Sequence, residues 1–280
     1  MTVHAKIASI QMTSCGNVVG NLKKAGQLLA EAATKGARLA ILPEMFPTLS
    51  VENGSIESRE PFGNGPIQDF LADQAQQHGL WIVGGTIPIA CEQNKKIYGA
   101  CLVYDNNGRF VARYNKIHLF DAKLKPGSEE YCESNLTTPG NVPMVIDTPV
   151  GKLGIAVCYD LRFPELFSYM AQHGAEIFAL PAAFLNTTGV VHWEVLVRAR
   201  AIENLAYMVG ANQTGIHHNG RKSYGHSMIV SPWGEILAQI ETAEGVIVAD
   251  INLDYLHQVR HNLPVSEHHR LTVSSCQVCQ

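Results

Sequence analysis

Three side chains in this sequence, each just past an apolar run that predicts a strand, could act together on a carbonyl compound. They are Glu44, Lys116 and Cys158. A thiol attacks carbonyl carbon as a thiolate, and a carboxylate held beside it can take its proton. An ammonium group nearby favours the negative sulfur and can stabilise the oxyanion that the attack produces. The combination indicates nucleophilic catalysis, although a single Glu or Lys after a strand is usually only solvated.

Cys158 lies on a sharp predicted turn between a strand and a helix. Residues 154–157 are apolar or small and predict a short buried strand, and Pro164 stands where the first turn of a helix tolerates proline. Such a turn exposes a nucleophile at a sheet edge and points the following backbone N–H groups at the atom under attack. The alternative, from this turn alone, is a buried and inert thiol.

The rest of the chain supplies the elements that would position these residues. Apolar periodicity predicts helices over 21–36, 67–79, 164–173 and 192–206, and a short helix over 253–259. Strands are predicted over 6–12, 39–42, 81–87, 98–104, 110–114, 144–147, 153–157, 177–180, 207–212, 227–230, 236–240 and 246–251. Because strands and helices alternate without a linker, we expect one α/β domain over residues 1–270, with packed sheets and outer helices, and a polar tail over 271–280.

Composition and charge argue against several classes of protein. The formal net charge is −4 and there is no basic stripe, so nucleic acid is not an expected partner. No apolar run approaches the roughly 20 residues that span a bilayer, and the first residues lack the order of a signal peptide. The seven cysteines show no disulfide pattern, which predicts a reducing, cytoplasmic location. Cys276 and Cys279 form a lone CxxC that we interpret as a chance pairing.

Three segments resemble the signatures of the nitrilase superfamily of carbon–nitrogen hydrolases. They are LPE at 42–44, YNKIHL at 114–119 and GIAVCYDLRFPE at 154–165. The resemblance runs from about residue 6 to residue 269. It implies a four-layer α-β-β-α sandwich, a Glu–Lys–Cys catalytic set, and association through helices into a homodimer or a higher homo-oligomer. It implies no metal and no organic cofactor.

The resemblance also implies a role for each of the matching residues. Cys158 corresponds to the nucleophile, and Glu44 to the general base that later protonates the leaving amine. Lys116 and the backbone N–H of Tyr159 correspond to the groups that hold the oxyanion. The substrate would be a small-molecule amide, which is cleaved through a thioester on Cys158.

The family has a second glutamate in the loop beyond the lysine, where it orients the lysine and the attacking water. Glu133 is the best match for it here, with Glu129 and Glu130 as nearby rivals. The alternative for Glu133 is a solvated loop carboxylate.

Within the superfamily, the stretches 133–140, 192–234 and 252–265 are most similar to members that hydrolyse deaminated glutathione to 2-oxoglutarate and Cys-Gly, a metabolite repair reaction. An ω-amidase acting on 2-oxoglutaramate or 2-oxosuccinamate is the alternative, and the loop 215–222 favours the former. A catalytically silent scaffold relative is a second alternative, although all three catalytic residue types are intact. A papain-like Cys–His enzyme is disfavoured because no histidine follows a strand as its base would.

An anionic keto-acid substrate needs a cation or several hydrogen-bond donors in the site. Arg162, four residues past Cys158, is one candidate, although a salt bridge to Asp160 or Glu165 would equally explain it. The loop before the helix predicted over 192–206, and the start of that helix, supply three further substrate-binding candidates: Asn186, Thr187 and His192. His217 and His218 lack acidic or thiol neighbours at ligand spacing, so we expect no metal there.

Overall fold

The computed structural model describes residues 4–49, 54–124, 130–218 and 220–270. The strands are β1 (His4–Gln11), β2 (Ala37–Ile41), β3 (Trp81–Val83), β4 (Ile87–Ala90), β5 (Ile97–Tyr104), β6 (Phe110–Asn115), β7 (Asp121–Lys123), β8 (Glu130–Cys132), β9 (Met144–Thr148), β10 (Gly151–Ile155), β11 (Ile177–Ala182), β12 (Tyr207–Asn212), β13 (Thr214–Ile216), β14 (Lys222–Tyr224), β15 (Ser227–Val230), β16 (Ile236–Ile240) and β17 (Gly245–Asn252). The helices are α1 (Val18–Thr34), α2 (Gly54–Glu57), α3 (Pro66–His78), α4 (Pro164–Gln172), α5 (Asn186–Asn204), α6 (Leu253–Asn262) and α7 (Val265–His268).

Two large sheets form the inner layers of the molecule. One has the order β17-β1-β2-β3-β5-β4, with β6 also paired to β5, and the other has the order β16-β15-β12-β11-β10-β9. Each contains a central parallel set, β1-β2-β3 and β10-β11-β12, flanked by antiparallel strands. The sheets face each other through β1, which contacts β12 and β15, so their inner faces share one hydrophobic core.

The outer layers are helices that bury one apolar face each. α1 and α3 pack on the first sheet, and α4 and α5 pack on the second. In α1 the apolar buried residues recur every three or four positions, and the Asn17 side chain caps the helix by accepting from the Gly20 N–H. The predicted four-layer α-β-β-α sandwich is confirmed. The division into a domain over 1–270 and a tail over 271–280 stays a prediction, since 271–280 lies outside the described residues.

Most predicted elements differ from the structure by a few residues at their ends, and two differ more substantially. The strand predicted over 81–87 is two strands, β3 and β4, because Gly84 and Gly85 interrupt it. Gly85 has φ +53°, and a Cβ at that position would lie 2.1 Å from the Pro43 carbonyl oxygen. The helix predicted over 192–206 begins at Asn186 instead, so the loop expected to precede it is its first turn. None of the helices in the described ranges is long and apolar enough to cross a membrane.

Candidate active site

Cys158 lies in a tight turn three residues past the end of β10. It begins a 3-10 turn, Cys158–Arg162, and its φ of +47° is in the left-handed region that residues with a Cβ rarely adopt. The surrounding hydrogen bonds have to hold this conformation, which costs about 1–3 kcal/mol. Cys158 is 9% exposed and lines a cavity. The sharp turn after a strand is therefore present as the sequence predicts.

Lys116 joins two carboxylates beside this turn. Its Nζ donates to Glu44 Oε1 at 2.8 Å and to both oxygens of Glu133, at 3.0 and 2.8 Å. Glu44 and Lys116 are almost completely buried, with 4% and 2% of their surface exposed. The structure thus brings together the four side chains that the sequence placed in the catalytic set, Glu44, Lys116, Glu133 and Cys158.

Backbone N–H groups also hold the carboxylates of Glu44 and Glu133. The Ala183 N–H, directly after β11, donates to Glu44 Oε2 at 2.9 Å. The Phe120 N–H donates to Glu133 Oε2 at 2.7 Å. Each carboxylate is therefore held by a cation and by a peptide N–H, which leaves little freedom to either.

The environment sets the ionisation of the cluster. Burial by itself raises the pKa of Glu44, but the charge and hydrogen bond of Lys116 outweigh it, so the pKa of Glu44 is lowered. For Lys116, burial by itself lowers the pKa, and the charges of Glu133 and Glu44 reverse this and hold it well above its ordinary value. Glu44 is therefore an ionised base and Lys116 a cation at neutral pH.

The thiol of Cys158 behaves differently from the simplest expectation. Burial raises its pKa and the negative charge of Glu44 raises it further, while Lys116 lowers it by less. Lys116 favours the negative sulfur as expected, but burial and the charge of Glu44 outweigh it, so the pKa of the thiol is raised. The thiol and the Glu44 carboxylate line the same cavity and influence each other's pKa, so Glu44 is the group placed to accept the thiol proton.

Asp160 ties the Cys158 turn to the strand that carries Lys116. Its fully buried carboxylate accepts from the Val157 N–H at 2.8 Å and the Tyr114 hydroxyl at 2.7 Å. It also accepts from the His118 N–H at 3.0 Å and lies 2.7 Å from His118 Nδ1. The sequence offered Asp160 only as a possible partner of Arg162. Its position two residues after Cys158 was the available signal.

We expect Asp160→Asn to impair both stability and turnover. The amide nitrogen would face buried donors that a carboxylate oxygen now accepts, which should cost about 2–4 kcal/mol of unfolding free energy. A small displacement of Lys116 against Cys158 should lower kcat by about 10²-fold with a smaller change in KM. Denaturant unfolding and steady-state kinetics measure the two effects. Asp147→Asn, an exposed carboxylate that pairs with Lys152, is the matched control. A kcat within twofold of wild type would show that Asp160 does not position Lys116 against Cys158.

A cavity of about 340 Å³ is lined by Glu44, Lys116, Glu133 and Cys158. This size is within the usual range of small-molecule sites, roughly 300–1,000 Å³. Apolar and aromatic residues contribute much of its wall, and two arginines, Arg162 and Arg221, line it as well. Such a cavity suits a small, anionic, partly apolar ligand.

Arg162 lies against aromatic rings at this wall. Its guanidinium carbon is 5.3 Å from the centroid of Phe184 and 5.8 Å from that of Tyr159, and its nitrogens are 3.3 and 3.4 Å from His192 Nδ1. Within the described residues, Arg162 makes no salt bridge, and Asp160 is occupied by other donors. The alternative of a salt bridge to Asp160 or Glu165 is therefore wrong.

The other substrate-binding candidates lie along the first turns of α5. Thr188, which the sequence did not single out, lines the cavity, whereas Asn186 and Thr187 are not among its lining residues. His192 is not among the lining residues either, but its ring contacts Arg162, which is. Because the helix begins at Asn186, the helical repeat rather than a loop decides which of these side chains face the cavity.

The structure also separates Glu133 from its rivals. Glu133 begins a 3-10 turn, Glu133–Asn135, with its side chain on Lys116, whereas Glu130 is exposed and 3.4 Å from Lys123. Glu129 lies outside the described residues, as do Cys276 and Cys279. The alternative of a solvated Glu133 is wrong.

Metal-ligating side chains do not cluster in the part of the chain that the structure describes, where no group of three His, Cys, Asp or Glu could hold an ion. His217 uses both ring nitrogens in hydrogen-bond contacts, to the Ser14 carbonyl and the Ser223 hydroxyl, each at 2.8 Å.

Comparison with known proteins agrees with this geometry. The family model described as "Carbon-nitrogen hydrolase" matches residues 6–261. The human deaminated glutathione amidase is 44% identical over 269 residues, which are 94% of this chain and 82% of that protein. The Caenorhabditis elegans NitFhit protein superposes with a TM-score of 0.88 at 36% identity over 95% of this chain and 65% of that one. A Saccharomyces cerevisiae member of branch 10 of the nitrilase superfamily has a TM-score of 0.85 at 29% identity, over 96% and 97% of the two chains. The chain therefore belongs to the carbon–nitrogen hydrolase family.

Proposed function

We propose that this protein hydrolyses the amide bond of deaminated glutathione, giving 2-oxoglutarate and Cys-Gly. The observation that carries the proposal is the cluster of Cys158, Glu44, Lys116 and Glu133 in one cavity with an arginine that has no salt bridge among the described residues. Relatives that bear the name deaminated glutathione amidase, the human protein among them, support the choice of substrate.

Acylation begins when the Cys158 sulfur attacks the amide carbonyl carbon and its proton passes to Glu44. The carbonyl oxygen becomes an oxyanion, which Lys116 Nζ and the Tyr159 N–H stabilise. The C–N bond then breaks, and Glu44 returns the proton to the leaving nitrogen. Cys-Gly leaves, and the 2-oxoglutaryl group remains on Cys158 as a thioester.

Deacylation uses the same groups with water. Glu44 takes a proton from the water, whose oxygen forms a bond to the thioester carbon. Glu133 keeps Lys116 oriented, because both of its oxygens contact Nζ while the Phe120 N–H holds the carboxylate. The S–C bond breaks, the acid leaves as 2-oxoglutarate, and the proton returns to Cys158.

Arg162 supplies the positive charge for the 2-oxo acid carboxylate in this proposal. A guanidinium can donate two parallel hydrogen bonds to a carboxylate. The rings of Tyr159 and Phe184 fix its position, and His192 contacts it from α5. The scissile carbonyl and this carboxylate would then be held at the two ends of the acyl portion.

The test is steady-state hydrolysis of deaminated glutathione beside 2-oxoglutaramate by purified wild type and Cys158→Ala. We expect kcat/KM to favour the tripeptide analogue, since specificity is that ratio. A preference for the small amide would assign the protein as an ω-amidase. If a folded wild-type protein turned over neither compound, the proposed substrate would be wrong, while carbon–nitrogen hydrolase chemistry on another amide would remain.

We also propose that the protein is a homodimer or a higher homo-oligomer in the cytoplasm. α5 exposes Val190, Val191 and Val195, which are 62%, 61% and 67% exposed, and a second copy could cover this apolar surface. Light scattering should give a mass at least twice 30.6 kDa. A mass of one chain at micromolar concentration would contradict this.

The five cysteines in the described ranges are all free thiols, which supports a reducing compartment.

A further inference from the structure

The cavity contains a second arginine, Arg221, that the mechanism above does not use. Its Nη2 donates to the Ala183 carbonyl, and Ala183 in turn donates its N–H to Glu44. The charge of Arg221 also contributes to lowering the pKa of Glu44. Arg221 is therefore close to Glu44, and Arg162 lies against the rings of Tyr159 and Phe184.

The segment that carries Arg221 is anchored at several points. It joins β13 to β14, and the His217 N–H donates to the Arg221 carbonyl at 2.9 Å. The His217 ring is buried between Ser14 and Ser223. The next strand is attached to the cavity wall, since the Tyr224 N–H donates to the Phe184 carbonyl at 2.9 Å. The backbone thus presents Arg221 at a fixed place.

The chemistry of the proposed reaction places the leaving group on this same side. Glu44 must protonate the leaving nitrogen, so that nitrogen and the Cys-Gly portion attached to it lie next to Glu44. An extended Cys-Gly unit reaches about 7 Å from that nitrogen and ends in a carboxylate. A second buried or half-buried carboxylate needs its own cation. Arg221 lines the cavity close to Glu44 and carries the positive charge that such a carboxylate needs.

We propose that Arg221 binds the terminal carboxylate of the leaving peptide and so selects peptide amides over small amides. This proposal rests on the proposed function, since Arg221 would be the residue that recognises the second carboxylate of a dianionic substrate. A guanidinium has five N–H donors in a planar fork, so its bond to Ala183 is compatible with holding a carboxylate. Ala183 links the two tasks, because it contacts both Arg221 and the general base.

The experiment compares three variants on two matched substrates. The substrates are deaminated glutathione and the same compound with its terminal carboxylate converted to the amide. For wild type we expect kcat/KM to favour the free carboxylate by at least about tenfold, as for a hydrogen bond between charged groups. In Arg221→Gln this preference should fall to about one, and in Arg221→Lys it should be intermediate. Lys222→Gln removes an exposed positive charge from the same hairpin and should keep the wild-type preference.

Two outcomes would overturn the proposal. If Arg221→Gln lowered kcat/KM equally for both substrates, Arg221 would act only through Ala183 and Glu44. The acid limb of the pH profile would then move to higher pH, because loss of the cation raises the pKa of Glu44 and the base must be ionised. If wild type had the same kcat/KM for both substrates, no residue would recognise the terminal carboxylate. Failure of wild type to cleave either one would instead count against the proposed function.

Discussion

Cys158→Ala should abolish turnover while leaving the fold intact. Loss of the nucleophile removes the thioester pathway entirely, so we expect kcat to fall by at least about 10⁴-fold. The thermal midpoint should change little, because alanine keeps the Cβ and the same left-handed backbone conformation at this position. Steady-state rates and single-turnover release of Cys-Gly measure the first effect. Thermal unfolding measures the second.

Cys132→Ala is the matched control for this variant. Cys132 lines the same cavity but is exposed, and its sulfur lies 3.7 Å from the Ser134 hydroxyl. We expect it to retain nearly the full rate. Residual turnover above 1% in a pure Cys158→Ala preparation would show that another group attacks the amide. Loss of activity in both variants would indicate that the cavity, rather than the nucleophile, had been damaged.

Lys116→Met should lose most activity and also much stability. The rate falls because the oxyanion loses its cation, which for one donor costs about 10²–10³-fold in kcat. The fold suffers because Glu44 and Glu133 lose the charge that compensates their burial, and breaking a buried ion pair from one side costs about 3–5 kcal/mol. Denaturant unfolding at neutral pH and kcat on the same preparation measure both effects.

The stability loss in Lys116→Met should depend on pH. In the folded wild type the pKa of Glu44 is lower than in the unfolded chain. Ionised Glu44 therefore stabilises the fold at pH values above its unfolded pKa, and this stabilisation is lost as the pH falls through its folded pKa. Without Lys116, burial raises the pKa of Glu44, so the folded variant binds a proton more readily than the unfolded chain. The difference in unfolding free energy between the two proteins should therefore be largest near pH 7 and shrink toward about pH 4. A constant difference across this range would contradict the ion-pair account.

A second substitution separates the two roles of Lys116. Lys116→Met with Glu133→Gln removes one of the uncompensated charges, so part of the stability should return while kcat stays low. Lys123→Met, which affects an exposed lysine paired with Glu130, should change neither quantity appreciably. If the double variant recovered activity along with stability, Lys116 would be a structural residue only.

The order of the elements and the types of the reacting groups follow from the sequence by itself. Strand and helix periodicity are local properties, so the runs before Glu44, Lys116 and Cys158 predict strand ends without any tertiary information. The three motifs then identify the sandwich and the residues at its rim. The effect of Gly84 and Gly85 on the predicted strand was harder to predict. The break between β3 and β4 depends on the approach of Gly85 to the Pro43 carbonyl, and that contact is not local.

Only the tertiary structure decided how the charges are shared. Lys116 and Glu44 are 72 residues apart, and Ala183 and Glu44 are 139 residues apart, so no sequence pattern shows that they meet. The choice of Glu133 over Glu130 and the high pKa of the Cys158 thiol both depend on such contacts. A pKa is set by burial and by every charge nearby, and these exist only once the layers are packed. The sequence by itself therefore determined the reacting groups, and the packed structure determined their protonation and partners.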